Sequence, residues 1–114
     1  MVPPAGPAAF TRTIQADQVE TALAFLEHCR KAPRARVSSY TLKHTVERWG
    51  SSVGASAYVT NGAMVAAAIY AGFVVRPVGG EGNPNARIGI NASDVARLAE
   101  YALAYRAARR GTAA

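Results

Sequence analysis

The stretch YVTNGAMVAAAIYAGFVVRPVGGEGNPNARIGI, residues 58–90, decides the fold. Its first half carries no charged residue and reads as a helix from Thr60 or Asn61 to Gly72. Val59 is placed to staple onto Met64, and a glycine is the usual helix stop. The second half alternates. Phe73, Val75 and Pro77 interleave with Val74, Arg76 and Val78, GGEGNPN turns the chain, and Ala86, Ile88 and Ile90 interleave with Arg87 and Gly89. That period of two is a β-hairpin. Pairing Val75 with Ile88 sets Arg76 directly opposite Arg87 on the exposed face. Like charges so placed destabilise a sheet mildly, and a phosphate between them offsets the repulsion.

Outward from this stretch the pattern is helical. Asp17 with Glu20 opens a first helix that carries Val19, Ala22, Leu23 and Leu26 to about Lys31, and Pro33 ends it. Arg34 to Ser38 is short and basic, with the makings of a small strand. Ser38 or Ser39 then caps a second helix, with Leu42, Val46 and Trp49 on one face and Gly50 as its stop. The linker SSVGASA suits a mobile surface loop. After the hairpin, Asn91 or Ser93 opens a last helix to about Arg110, with Val95, Leu98, Ala99, Ala102 and Tyr105 as its buried stripe. The expected fold is α+β and mostly helical, about four helices with one β-hairpin between the third and fourth. Residues 13–110 form one domain, with flexible tails at 1–12 and 111–114.

The 114 residues suffice for one core. A net charge of +6 and a pI near 10.1 favour polyanionic partners. Lys31 and Lys43 are the only lysines, and Ala, Gly and Pro are abundant, so a GC-rich coding bias accounts for part of the arginine excess. Cys29 is the only cysteine, which excludes an intrachain disulfide and makes the cytoplasm the expected location. Pro3, Pro4 and Pro7 interrupt any leader-like apolar run. Ala57 to Val75 approaches the length of a bilayer span. Thr60, Asn61 and Gly62 inside it, and Ala in place of Leu or Ile, argue against membrane insertion.

Catalytic patterns are thin. Cys29 adjoins His28 on a helix, where neighbours about 100° apart cannot act as nucleophile and base. His28, Cys29 and His44 lack metal-ligand spacing. Gly79-Gly80-Glu81-Gly82 has no following Lys and helix, so it reads as a turn and not as a phosphate loop. No enzyme activity, cofactor or metal is expected.

The order helix, helix, helix, hairpin, helix resembles that of winged helix-turn-helix DNA-binding proteins, over roughly residues 15–110. The resemblance implies that the third helix enters the major groove and the hairpin touches the backbone. On that reading Thr60, Asn61 and Ala63 face the bases, Asn61 toward adenine and the Ala63 methyl toward thymine. Arg76 and Arg87 on the wing, with Arg34, Arg36 and Lys43, contact phosphates. Asn61→Ala then changes sequence preference more than affinity.

The third helix departs from the family in having no Arg or Lys, so a buried central helix remains an equal reading of it. Specificity then falls to the second helix, the wing or DNA shape. SSYTLKH, YVTNGAMVAAAIYAGF and NARIGI are also similar to stretches of short proteins carried by bacterial plasmids, phages and integrative elements. The expected function is a small transcriptional or mobile-element regulator bound to double-stranded DNA, as a homodimer because one such module covers little DNA. The alternative is a protein-docking module or small inhibitor, anchored through Tyr58, Tyr70 and Phe73 or through Tyr101 and Tyr105.

Overall fold

Asp94, near the start of the last helix, holds the backbone of Arg30, some sixty residues earlier, at 2.8 Å. That contact shows how distant parts of the chain meet in the computed structural model, which describes residues 7–55, 58–80 and 82–113. The element order is α1 (Pro7–Leu26), β1 (Val37–Ser38), α2 (Ser39–Ser52), α3 (Asn61–Tyr70), β2 (Val75–Pro77), β3 (Ala86–Ile88) and α4 (Ala92–Ala113). The protein is α+β and mostly helical, with the hairpin between the third and fourth helices as the alternation requires.

Helix α1 is displaced from its expected span at both ends. It starts at Pro7, within the stretch read as a tail, and a proline suits a first helical position, where its missing N–H is no loss. Residues 1–6 lie outside the described residues. The helix closes at Leu26, before Lys31 and well before Pro33, through the tightened bonds His28 N–H to Phe25 O and Cys29 N–H to Leu26 O. Residues 30–32 are claimed instead by the far end of the chain. Lys31 bridges Ile90, Ala32 N–H donates to Gly89 O at 2.8 Å, and Asn91 N–H donates to Arg30 O at 2.9 Å.

Helix α2 is capped by Ser38, whose hydroxyl accepts from Tyr40 N–H. It runs through Gly50 to Ser52, past the expected stop, because Gly50 continues the buried face of Leu42, Val46 and Trp49. The stop is Gly54, at φ +76°, and Ala55 N–H returns to Gly50 O at 2.8 Å in a Schellman closure. Helix α3 follows its local signals closely. Thr60 Oγ1 caps Ala63 N–H at 3.1 Å. Gly72 takes the left-handed conformation, and Phe73 N–H closes on Ala68 O at 3.0 Å. Helix α4 begins after Asn91, whose Oδ1 accepts from Asp94 N–H, and it extends to Ala113, into the segment read as a tail. Tyr105 does not share its buried stripe. Leu98 and Ala102 are buried, whereas every residue from Leu103 to Ala108 is exposed.

The hairpin register is the expected one, with Val75 opposite Ile88, Arg76 opposite Arg87 and Pro77 opposite Ala86. Strand β1 completes a three-stranded antiparallel sheet of order β1-β3-β2, pairing Val37 with Ile88 and Ser38 with Arg87. Val37, Val75 and Ile88 turn to the core, while Arg76 and Arg87 lie on the solvent face. The core gathers Phe25, Leu42, Val46, Met64 and Ile88, with Trp49 meeting Phe25 edge to face at 5.6 Å. Each large side chain so buried contributes about 1.5–3 kcal/mol. The alanines of α3 fit this scheme. Ala63, Ala67 and Ala68 are buried, and their small size lets α1 pack closely on that helix.

Candidate nucleic-acid interface

The solvent face of the sheet is built by alternation alone. In extended chain successive side chains point to opposite faces, so burying Val75 and Ile88 puts Arg76 and Arg87 outward together. The same pairing sets Ser38 beside Arg87. Arg34 and Arg36, both exposed, form a second group at the α4 end of the sheet. They border a surface depression shared with Val37, Ile90, Asn91 and Ala92. The arginines therefore fall into two pairs along the sheet.

The other expected DNA-facing residues have internal partners. Lys43 is mostly buried. Its Nζ lies 3.3 Å from Val59 O and 3.5 Å from Glu47 Oε1, so it ties α2 to the chain entering α3. Thr60 is consumed as the α3 cap, and its backbone N–H donates to Oε1 of the buried Gln18 at 2.9 Å. Ala63 is 5% exposed, so its methyl cannot meet a thymine.

Asn61 uses both ends of its amide. Oδ1 accepts from Ser39 Oγ at 2.7 Å, and Nδ2 donates to Pro84 O. Ser39 Oγ in turn accepts from Ala86 N–H at 2.9 Å. Asn61 is thus a latch joining α2, α3 and the turn of the hairpin, with both ends of its amide engaged inside the fold. The polar side chains of the expected base-contacting turn, Thr60 and Asn61, are engaged within the fold.

Reading the sequence alone missed Ser39 and Gln18 as partners in these networks. Ser39 did carry a signal, since a second hydroxyl directly after a capping serine has no capping task. The solvent face of α2 was also passed over. Opposite the Leu42–Val46–Trp49 stripe stand Tyr40, Thr41 and Arg48, all exposed, with His44 partly so. The Tyr40 and His44 rings meet edge to face at 4.7 Å. His44 Nδ1 lies 3.2 Å from Glu47 Oε1, and Glu47 Oε2 accepts from Val59 N–H at 3.0 Å.

A groove between α1 and α3 is lined by Val19, Leu23, Ala66 and Tyr70, and Ile69 and Tyr70 are 60% and 82% exposed beside it. Phe73 is buried in the core, so it cannot anchor a partner. Arg30 grips Asp94 with its guanidinium and its backbone N–H, which holds that carboxyl below the usual carboxylate range. Among the described residues no group of three His, Cys, Asp or Glu is arranged to hold a metal. No helix among them is long and apolar enough to cross a membrane.

Cys29 is half-buried and its thiol donates to Phe25 O at 3.6 Å. Burial, followed by the nearby charge of Asp94, pushes the thiol up to about 11. At pH 8 only about one thiol in a thousand is then ionised, against roughly a quarter for an ordinary cysteine. Alkylation by iodoacetamide at that pH is expected to be at least tenfold slower in the native protein than in denaturant. Equal rates would show that the thiol is not shielded.

Comparison with known proteins finds no family model, curated protein or solved structure that matches this chain.

Proposed function

We propose that this protein is a small DNA-binding regulator that holds the phosphate backbone through the arginines of its sheet. The observation that carries this reading is the register that sets Arg76 and Arg87 directly opposite each other on the exposed face. Neighbouring guanidinium groups repel, and a phosphate bound between them turns the arrangement from a cost into a grip. The net charge of +6 adds long-range attraction to any duplex. The order of helices, strands and hairpin, close to that of a winged helix, supplies the expected manner of approach, with the wing against the backbone. Counter-ion release drives such binding, so it weakens steeply with salt.

The test is fluorescence anisotropy of a labelled random-sequence duplex, titrated from low to physiological salt. Arg76→Ala combined with Arg87→Ala is expected to weaken binding to every sequence alike. The slope of log affinity against log salt should become shallower by about 1.8, for two phosphates at about 0.9 each. An unchanged slope in the double variant would remove the sheet from the interface.

One observation favours a second reading. The exposed face of α3 presents Gly62, Ala66, Ile69 and Tyr70, an apolar surface that continues into the groove against α1. Such a surface suits protein docking better than a base-reading helix does. Absence of duplex binding by the unaltered protein, even at low salt, would transfer the function to that face.

A further inference from the structure

We infer that the helix meeting the base edges is α2, with Arg48 and His44 as its reading residues, and that α3 does not read sequence. This inference rests on the DNA-binding reading above. Three features of the structure lead to it.

The first is the closure of α3. Thr60 and Asn61 are committed to internal partners, Ala63 and Met64 are buried, and the exposed positions Gly62, Ala66 and Ile69 have no side-chain donor or acceptor. Only Tyr70, at the last turn, offers a hydroxyl. The second is the chemistry of α2. Its outward positions Tyr40, Thr41, His44 and Arg48 all carry hydrogen-bonding groups. The third is placement. Ser38 is both the N-cap of α2 and the cross-strand neighbour of Arg87, so the first turn of α2 adjoins the arginine pair directly.

Glu47 makes the reading specific. Its carboxylate is held by Val59 N–H and Lys43, and an ionised carboxylate only accepts hydrogen bonds. With Nδ1 at 3.2 Å from that oxygen, the ring proton of neutral His44 belongs on Nδ1. Nε2 is then an acceptor, and the major-groove donors complementary to it are the amino groups of adenine and cytosine. Arg48 is a bidentate donor matched to guanine O6 and N7. The two residues are one helical turn apart, a rise of about 6 Å, which corresponds to roughly two base-pair steps. The expected site is a guanine about two base pairs from an adenine or cytosine.

The experiment selects bound duplexes from a randomised library with the intact protein, then repeats the selection with Arg48→Ala, His44→Ala, His44→Gln and Tyr70→Ala. Arg48→Ala should lose the guanine preference and His44→Ala the adenine or cytosine preference, each by roughly tenfold in discrimination, whereas His44→Gln, whose amide matches adenine N6 and N7, should keep adenine. Binding to the unselected pool should change far less, and Tyr70→Ala should keep the motif. Thermal melts of each variant confirm folding, and Arg48 is exposed enough to be replaced safely. A motif that survives in Arg48→Ala and His44→Ala overturns the inference. So does duplex binding with no motif at all, or a motif lost only in Tyr70→Ala. Failure of the intact protein to bind the unselected pool at low salt is a different result, which overturns the DNA-binding reading itself.

Discussion

Gly89→Ala is expected to cost this protein a large share of its folding stability. A Cβ at this position would stand 2.4 Å from the carbonyl oxygen of Ala32 and 3.1 Å from Val74 Cβ. The first neighbour is backbone and cannot swing away as a side chain would. Gly89 is bonded on both sides, its carbonyl accepting from Ala32 N–H at 2.8 Å and its N–H donating to Val74 O at 2.7 Å. Relief of the clash must therefore break a pairing on one flank or the other. The cost is about 3 kcal/mol or more, a large share of the stability of a domain this size. A melt followed by circular dichroism should show a fall of more than about 10 °C. An unchanged midpoint would mean that residues 30–32 do not pack against this strand.

Asn61→Ala has the second-largest expected effect, and its readout decides between two roles for one residue. As a latch, Asn61 accepts the Ser39 hydroxyl and holds the Pro84 carbonyl. Its loss leaves the buried hydroxyl without an acceptor and frees the turn of the hairpin. The cost should be about 1–3 kcal/mol, with a lower unfolding midpoint in urea. Affinity for a selected site and for random duplex should then fall together. A variant as stable as the parent that has lost only its preference for one sequence would restore Asn61 as a reader of bases. Asn61→Asp separates the two bonds, since a carboxylate still accepts from Ser39 but cannot donate to Pro84. It should lie between the parent and the alanine variant in stability.

These two sites mark the limit of what the chain discloses by itself. Where structure is set within a few residues, the sequence is a sufficient guide. The Thr60 cap, the Gly72 stop and the pairing of Val75 with Ile88 all follow from local chemistry, and all are found. The end of α1 is different, because residues 30–32 leave the helix to pair with residues 89–91. No local pattern announces a partner that far away. Gly50 misleads for a related reason. A glycine after an apolar face is a good helix stop, but burial of that face against the core outweighs the preference.

The candidate site was legible in its charges and illegible in its amides. Arg76 and Arg87 could be placed because alternation fixes which side chains face solvent. Asn61 could not, because the amide that matches an adenine edge matches a hydroxyl and a backbone carbonyl equally well. Lys43 is the same case, since a lysine that suits a phosphate also suits a carboxylate beside a carbonyl. Tertiary position alone distinguishes these roles.

The junction of residues 30–32 with 89–91 has a consequence for the order of folding. It closes a ring of chain that contains α2, α3 and the hairpin. Closing a ring that long costs more chain entropy than any turn within it, and its contacts give nothing back until the ring is shut. The helices and the hairpin have short-range nuclei and can form beforehand. The clasp closes last and opens first, so partial unfolding peels the segment around Lys31 away while the helices stand. The surface that such a peeling bares is the backbone of residues 89–91, where Gly89 O and Asn91 N–H lose their partners and become able to pair with another chain. Aggregation of this protein under mild stress would then begin at the clasp, with the helical core still folded.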